Sequence, residues 1–181
     1  MLLNLLRKYY LHIFLWVIML AYFLFGPDLV TFVFTNIGKP LQSDGTIPTE
    51  SDRITFVVED LEPYLKNGKS LYNLYGWAFI VPELQQERAS YIREIALTSD
   101  ENVYFFSVES DYRNPGPQSL FADVSVDLNT LGFNTLIAED AIKPGKYRIG
   151  ILFKDLDTGS AYYYDKPAHF LIKTPNTLTF K

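Results

Sequence analysis

His169 is the one histidine beyond the apolar N-terminal run, so serine-histidine-carboxylate hydrolysis in this chain would have to pass through it. No G-x-S-x-G elbow accompanies it, and a histidine just after Pro167 at the start of a strand reads as structural. The carboxylate pairs Glu109 with Asp111 and Glu139 with Asp140 have the residue types of glycoside hydrolysis, but each pair sits within one short surface stretch rather than converging from separate elements. Asp155 and Asp157 ahead of Gly159 invite comparison with a calcium loop. Counted from Asp155, however, the required glycine at the sixth position is Ser160 and the glutamate at the twelfth is Lys166, so a turn is expected there instead. Asn67-Gly68-Lys69-Ser70 ends like a phosphate-binding loop, yet the leading glycine of that motif falls on Pro63. With no cysteine, disulfides, thiolate chemistry and cysteine-ligated zinc are excluded. The expectation is a non-enzymatic protein without cofactor or metal.

The residues that point to contact rather than catalysis are aromatic. Tyr162, Tyr163 and Tyr164 alternate across a predicted strand, so at least one ring faces outward, where it would serve ligand or partner contact. Tyr112 and Arg113 open a long irregular interval, Tyr112 to Thr130, which contains Asn114-Pro115-Gly116-Pro117; such a loop either covers a sheet edge or forms a functional surface. Trp77 has the ring for stacking on a sugar, but its neighbours Leu74, Ala78 and Phe79 predict a core position, with Gly76 permitting close approach by a neighbouring strand.

These side chains must be carried by strands. Runs rich in β-branched and aromatic residues recur between turn-forming clusters, at Ile54 to Leu61, Leu71 to Ile80, Tyr91 to Thr98, Val103 to Val108, Gly132 to Ala138, Tyr147 to Phe153, and Ala161 to Tyr164 with a continuation at His169 to Lys173. About seven short strands at this spacing predict an all-β antiparallel sandwich of immunoglobulin-like size. No long-helix pattern follows Phe34.

Before the strands, Tyr9 to Phe25 (YYLHIFLWVIMLAYFLF) carries no acidic, lysine or arginine side chain and ends at Gly26-Pro27. A run of this length spans about 30 Å of hydrocarbon with help from its flanks, which predicts one transmembrane helix. Arg7 and Lys8 precede it and Asp28 follows, so the N-terminus is expected in the cytoplasm and the remainder outside it. The bulky Ala21-Tyr22-Phe23-Leu24-Phe25 exit lacks a small-residue cleavage site and favours an uncleaved signal anchor, with Arg7, Lys8, Trp16 and Tyr22 as anchoring residues. His12 lies near the interfacial end of the run, close to Lys8, where a neutral imidazole costs little. The expected organisation is an anchor helix over 1–28, a juxtamembrane segment and linker over 29–52, the sandwich over 53–175 and a tail over 176–181. Within the second part, Leu29 to Phe34 (LVTFVF) is apolar throughout except for Thr31, whereas Thr35 to Asp52 has the Gly, Pro, Ser, Thr and Asp content of a tether. The net charge of -5 and pI of about 5.0 oppose nucleic-acid binding.

Three segments, Tyr75 to Ile80 (YGWAFI), Gly132 to Ala138 (GFNTLIA) and Pro144 to Phe153 (PGKYRIGILF), resemble uncharacterised bacterial single-pass membrane proteins with an extracytoplasmic immunoglobulin-like β-sandwich. The resemblance covers Ile54 to Thr174. Members often carry a charged Arg-Pro-Asp-like segment before the GF strand, where this chain has Tyr112-Arg113-Asn114-Pro115-Gly116. The uncleaved anchor, the apolar Leu29 to Phe34 segment and the missing active-site constellation lead to the expectation of a membrane-anchored extracytoplasmic interaction or accessory subunit of a bacterial envelope complex, touching membrane lipid and a protein partner. The alternative is a tethered carbohydrate-binding module facing cell-wall or surface polysaccharide.

Overall fold

The computed structural model describes residues 14, 16–17, 19–20, 23, 36–41, 46–66, 68–80, 91–112, 128–165 and 169–181. The chain forms two compact units, Met1–Ile37 and Gly38–Lys181. In the first, the described residues Phe14, Trp16, Val17, Met19, Leu20 and Phe23 are helical, and all six are exposed. Among the described residues no helix is long and apolar enough to cross a membrane. Arg7, Lys8, His12, Tyr22 and Leu29 to Phe34 lie outside the described residues.

The second unit is a β-sandwich whose named strands pair antiparallel throughout. Its strands are β1 (Ile54–Lys66), β2 (Lys69–Ile80), β3 (Tyr91–Thr98), β4 (Val103–Ser107), β5 (Glu109–Asp111), β6 (Gly132–Ala138), β7 (Gly145–Asp155), β8 (Ala161–Tyr164), β9 (Phe170–Lys173) and β10 (Leu178–Phe180). One sheet runs β1-β2-β6-β5; the other runs β10-β9-β7-β3-β4, with β8 also paired to β7. The described residues therefore hold ten strands rather than about seven, for three local reasons. At Val108 the chain leaves one sheet for the other, so the predicted Val103 to Val108 strand ends as β4 and the polar Glu109–Asp111 beyond it forms β5. The long β7 pairs β9 along Gly145 to Arg148 and β8 along Ile151 to Lys154, so the predicted last strand is two strands end to end. Leu178–Phe180, read from sequence as a tail, pairs with Lys173 to Leu171 and extends the sheet.

Period-two alternation builds the core. Phe56, Val58, Leu74, Ile95, Leu97, Phe106, Phe133, Tyr147, Ile149 and Ile151 meet between the sheets and are buried. Arg93 reaches across the gap from β3: its guanidinium donates to the carbonyls of Leu131 at 3.0 Å and Gly132 at 3.2 Å and to the Ser110 hydroxyl at 2.8 Å. It thereby staples one sheet to the other, and burial lowers its pKa. Trp77 is buried and stacked on Phe79, with ring centroids 5.8 Å apart, which removes it as a sugar platform. A side chain at Gly76 would collide with the Val57 backbone carbonyl, so the absence of a Cβ there lets β1 approach β2 just before the bulge between Val58 and Asp60.

The segment expected to be a free tether is bound to the sandwich instead. Gly38 O accepts from Ala138 N at 2.7 Å, Leu41 N donates to Phe105 O on β4 at 2.6 Å, and Ser51 N donates to Tyr163 O on β8 at 2.7 Å. Strands β4 and β8 lie on opposite sides of β3 and β7, so the chain crosses the outer face of the six-stranded sheet as a strap. Under it, Ile47 packs with Val103 onto the buried cluster Ala96, Phe105, Leu152 and Tyr163. Apolar residues on an outward sheet face need a cover, and the strap supplies it.

Candidate functional site

At one end of the six-stranded sheet lies a cleft of about 470 Å³, within the ~300–1,000 Å³ range of small-molecule sites. Three paired strands set its side chains. Thr98 on β3 is opposite Arg148 on β7, and Arg148 is opposite Phe170 on β9, which puts all three on the outward face in one row. Lys146 lies two residues before Arg148 on the same face, with its Nζ 3.8 Å from the Phe170 ring centroid, a cation–π contact. The opposite wall is the β3–β4 turn, Ser99 to Asn102, held by the Ser99 hydroxyl, which accepts from Asn102 N at 3.0 Å. Asp100 and Glu101 of this turn are among the lining residues.

Arg148 Nη1 is 3.2 Å from Asp165 Oδ2; the guanidinium is mostly exposed and the carboxylate mostly covered. Thr98 is only 2% exposed, and its hydroxyl is buried beside that of Tyr163, which lies between Thr98 and the Asp165 carboxylate. Burial first, and the Asp165 charge second, push the Tyr163 phenol well above its ordinary range. At the edge of the cleft, Tyr147 donates to Lys143 O at 2.8 Å and packs edge-on against Tyr104; burial first and Tyr104 second push its phenol up to about 12. Nothing in the sequence pattern marks this cleft, because Thr98, Arg148 and Phe170 come from three strands separated by long stretches of chain.

The contact residues expected from sequence do not converge. Tyr163 is 3% exposed beneath the strap, where its ring occupies the space a Cβ on Gly150 would take, so it packs instead of presenting a surface. Tyr162 and Tyr164 are half-buried against the main core, and Tyr162 is covered by the Arg53 guanidinium at 5.2 Å. Tyr112 is 58% exposed, and Arg113 lies outside the described residues. Trp16 is 68% exposed on its helix.

The motifs set aside on counting have structural roles. Asp155 Oδ1 accepts from Asp157 N at 2.8 Å and Thr158 N at 3.0 Å; these backbone bonds lower its pKa and lock the β7–β8 turn, in which Gly159 has a φ of 70°. The His169 ring packs on Phe180 with centroids 4.7 Å apart. Among the described residues no group of three His, Cys, Asp or Glu side chains is placed to hold a metal ion. Comparison with models of known protein families, with curated proteins and with solved structures finds no match.

Proposed function

We propose that this chain is a single-pass membrane protein whose β-sandwich works outside the cytoplasm as a non-enzymatic interaction or accessory subunit of a bacterial envelope complex. The observation that carries the reading is the set of exposed helical side chains in the first unit. At 100° per residue, Phe14, Trp16, Val17, Met19, Leu20 and Phe23 cover about 220° of the helix circumference, wider than the single stripe of a helix packed on a core. A helix that is apolar all round finds its low-energy surroundings in lipid, and the uncharged run from Tyr9 to Phe25 extends the same character on both sides. Arg7 and Lys8 before the run favour a cytoplasmic N-terminus. The immunoglobulin-like assignment of the sandwich belongs to this reading, supported by its two facing antiparallel sheets.

Fractionation of cells expressing the full chain tests both halves of the reading. The protein is expected in the carbonate-washed membrane pellet, with the sandwich cut by protease added outside the cytoplasmic membrane. After crosslinking and purification in mild detergent it is expected to bring down one envelope protein at fixed stoichiometry. Recovery from the cytosol overturns the anchor, and a solitary monomer from crosslinked membranes overturns the accessory role.

A further inference from the structure

We propose that the tip of the β1–β2 hairpin dips into the headgroup layer of a phospholipid membrane, an inference that rests on the anchored reading above. The tip is bare on both faces. Tyr64 and Leu65 are neighbours on β1 and so point to opposite faces of the ribbon, and they are 46% and 73% exposed. No other large apolar side chain among the described residues is as exposed as Leu65. Packing against one flat surface covers one face only, whereas immersion in a soft interface covers both. The ribbon suits such a place, because its backbone stays paired as far as the last rung, Lys66 with Lys69, and a Cβ on Gly68 in the turn would meet nothing within 4 Å.

Charge and chain path independently favour lipid as the occupant. Lys66 and Lys69 face one another across the final rung, a like-charge arrangement that weakens a hairpin and that an anionic surface offsets. Tyrosine and lysine beside an apolar side chain are residues that settle at a bilayer interface, the ring at headgroup depth and the ammonium reaching for phosphate. The chain also enters the sandwich at this end. Gly38 is the first residue of the second unit; its carbonyl accepts from Ala138 N at 2.7 Å, Ala138 pairs with Leu71, and Leu71 pairs with Tyr64. The last rung is two residues farther along β1, about 7 Å. Around these rungs the cations Lys39, Lys66 and Lys69 outnumber the exposed carboxylate of Asp140, although the chain as a whole has a net charge of -5. Gly38 comes thirteen residues after Phe25, the end of the uncharged run, so a chain anchored there holds this entry point within about 45 Å of the lipid.

The full chain is placed in phosphatidylcholine nanodiscs carrying a nitroxide on the lipid headgroup, with and without phosphatidylglycerol, and amide broadening is read by NMR. Broadening is expected at the Tyr64, Leu65, Lys66 and Lys69 amides and not at Asp157 to Gly159 in the β7–β8 turn. Phosphatidylglycerol is expected to raise the ratio of immersed to free tip about tenfold, an effect that Lys66→Gln combined with Lys69→Gln removes. Leu65→Asp is expected to abolish the broadening and leave the melting temperature unchanged, since this side chain stands largely outside the fold. Co-elution of the chain with the discs reports the anchor separately. A chain that co-elutes with its tip unbroadened overturns this inference and leaves the anchor standing, and broadening that survives Leu65→Asp overturns it as well. A chain that elutes apart from the discs overturns the anchor and this inference with it. A tip unbroadened in discs but shielded in the crosslinked envelope complex belongs to a protein partner, which likewise overturns contact with lipid.

Discussion

Tyr147 and Tyr163 show how a side chain of ordinary chemistry is changed by where it is placed. Both phenols are buried, and both are harder to ionise folded than unfolded, Tyr147 reaching about 12 against an ordinary value of 10.0. Below the unfolded pKa both states hold the proton and the two tyrosines leave stability unchanged. As pH rises from about 10 toward 12 the unfolded chain loses its protons first, so stability falls, by about 1.4 kcal/mol per unit for each such group. Urea unfolding across that interval is therefore expected to show a steep alkaline loss, reduced in a Tyr147→Phe variant. The chemistry of single residues was only partly legible. Counting positions from Asp155 and from Pro63 was enough to turn two tempting motifs into turns, because a motif fails when its spacing fails. The inward direction of Tyr163 was not legible, since in a three-tyrosine strand either face reads equally well until the strap and Gly150 decide which one is covered.

Among the elements, the strap departs most from what its composition suggests. Thr35 to Asp52 is rich in the residues of flexible linkers, and composition reports the absence of a strand or helix period, not the absence of attachments. Two backbone bonds, at Leu41 and Ser51, and the packing of Ile47 hold it across the sheet. Ile47 is half-buried, so Ile47→Ala is expected to cost about 1–2 kcal/mol, roughly half of a full core truncation. Hydrogen exchange should quicken at the Leu41 and Ser51 amides while the β3 and β7 amides keep their protection. Uniform quickening would mean the strap is part of the global core and not a separable cover. The strands themselves were readable where both the alternation and the turn residues were present, as for β2, β3, β6 and β7. They were misdivided where a strand switched sheets, at Val108, or ran to only three residues, at β5 and β10.

For the whole molecule, the boundary between the two units lies at Ile37 and Gly38, well before the first strand. Two truncated chains distinguish a domain that begins at β1 from one that includes its strap. A chain starting at Gly38 is expected to remain folded, with the melting temperature of the sandwich in the full protein. A chain starting at Asp52 loses the Leu41 and Ser51 bonds and the cover over Ala96, Phe105, Leu152 and Tyr163, and is expected to melt about 3–7 °C lower, as a loss of about one to two kcal/mol gives in a domain of this size. Equal melting by calorimetry would show that the strap only lies on the sandwich. The sandwich expected from sequence begins at Arg53, fifteen residues after Gly38, because strand periodicity is the signal by which a sandwich announces its start.

Among the described residues strand β1 pairs on one side only, with β2, and so forms an outer margin of its sheet. Past Val58 that margin is irregular: a bulge at Glu59, then the charges of Asp60 and Glu62, then Pro63, which has no amide hydrogen to offer. A neighbouring copy arriving strand-first would find the ladder out of step and charged, and could not add its own strand in register. Copies packed densely side by side would accordingly stay individual molecules instead of zipping into fibres.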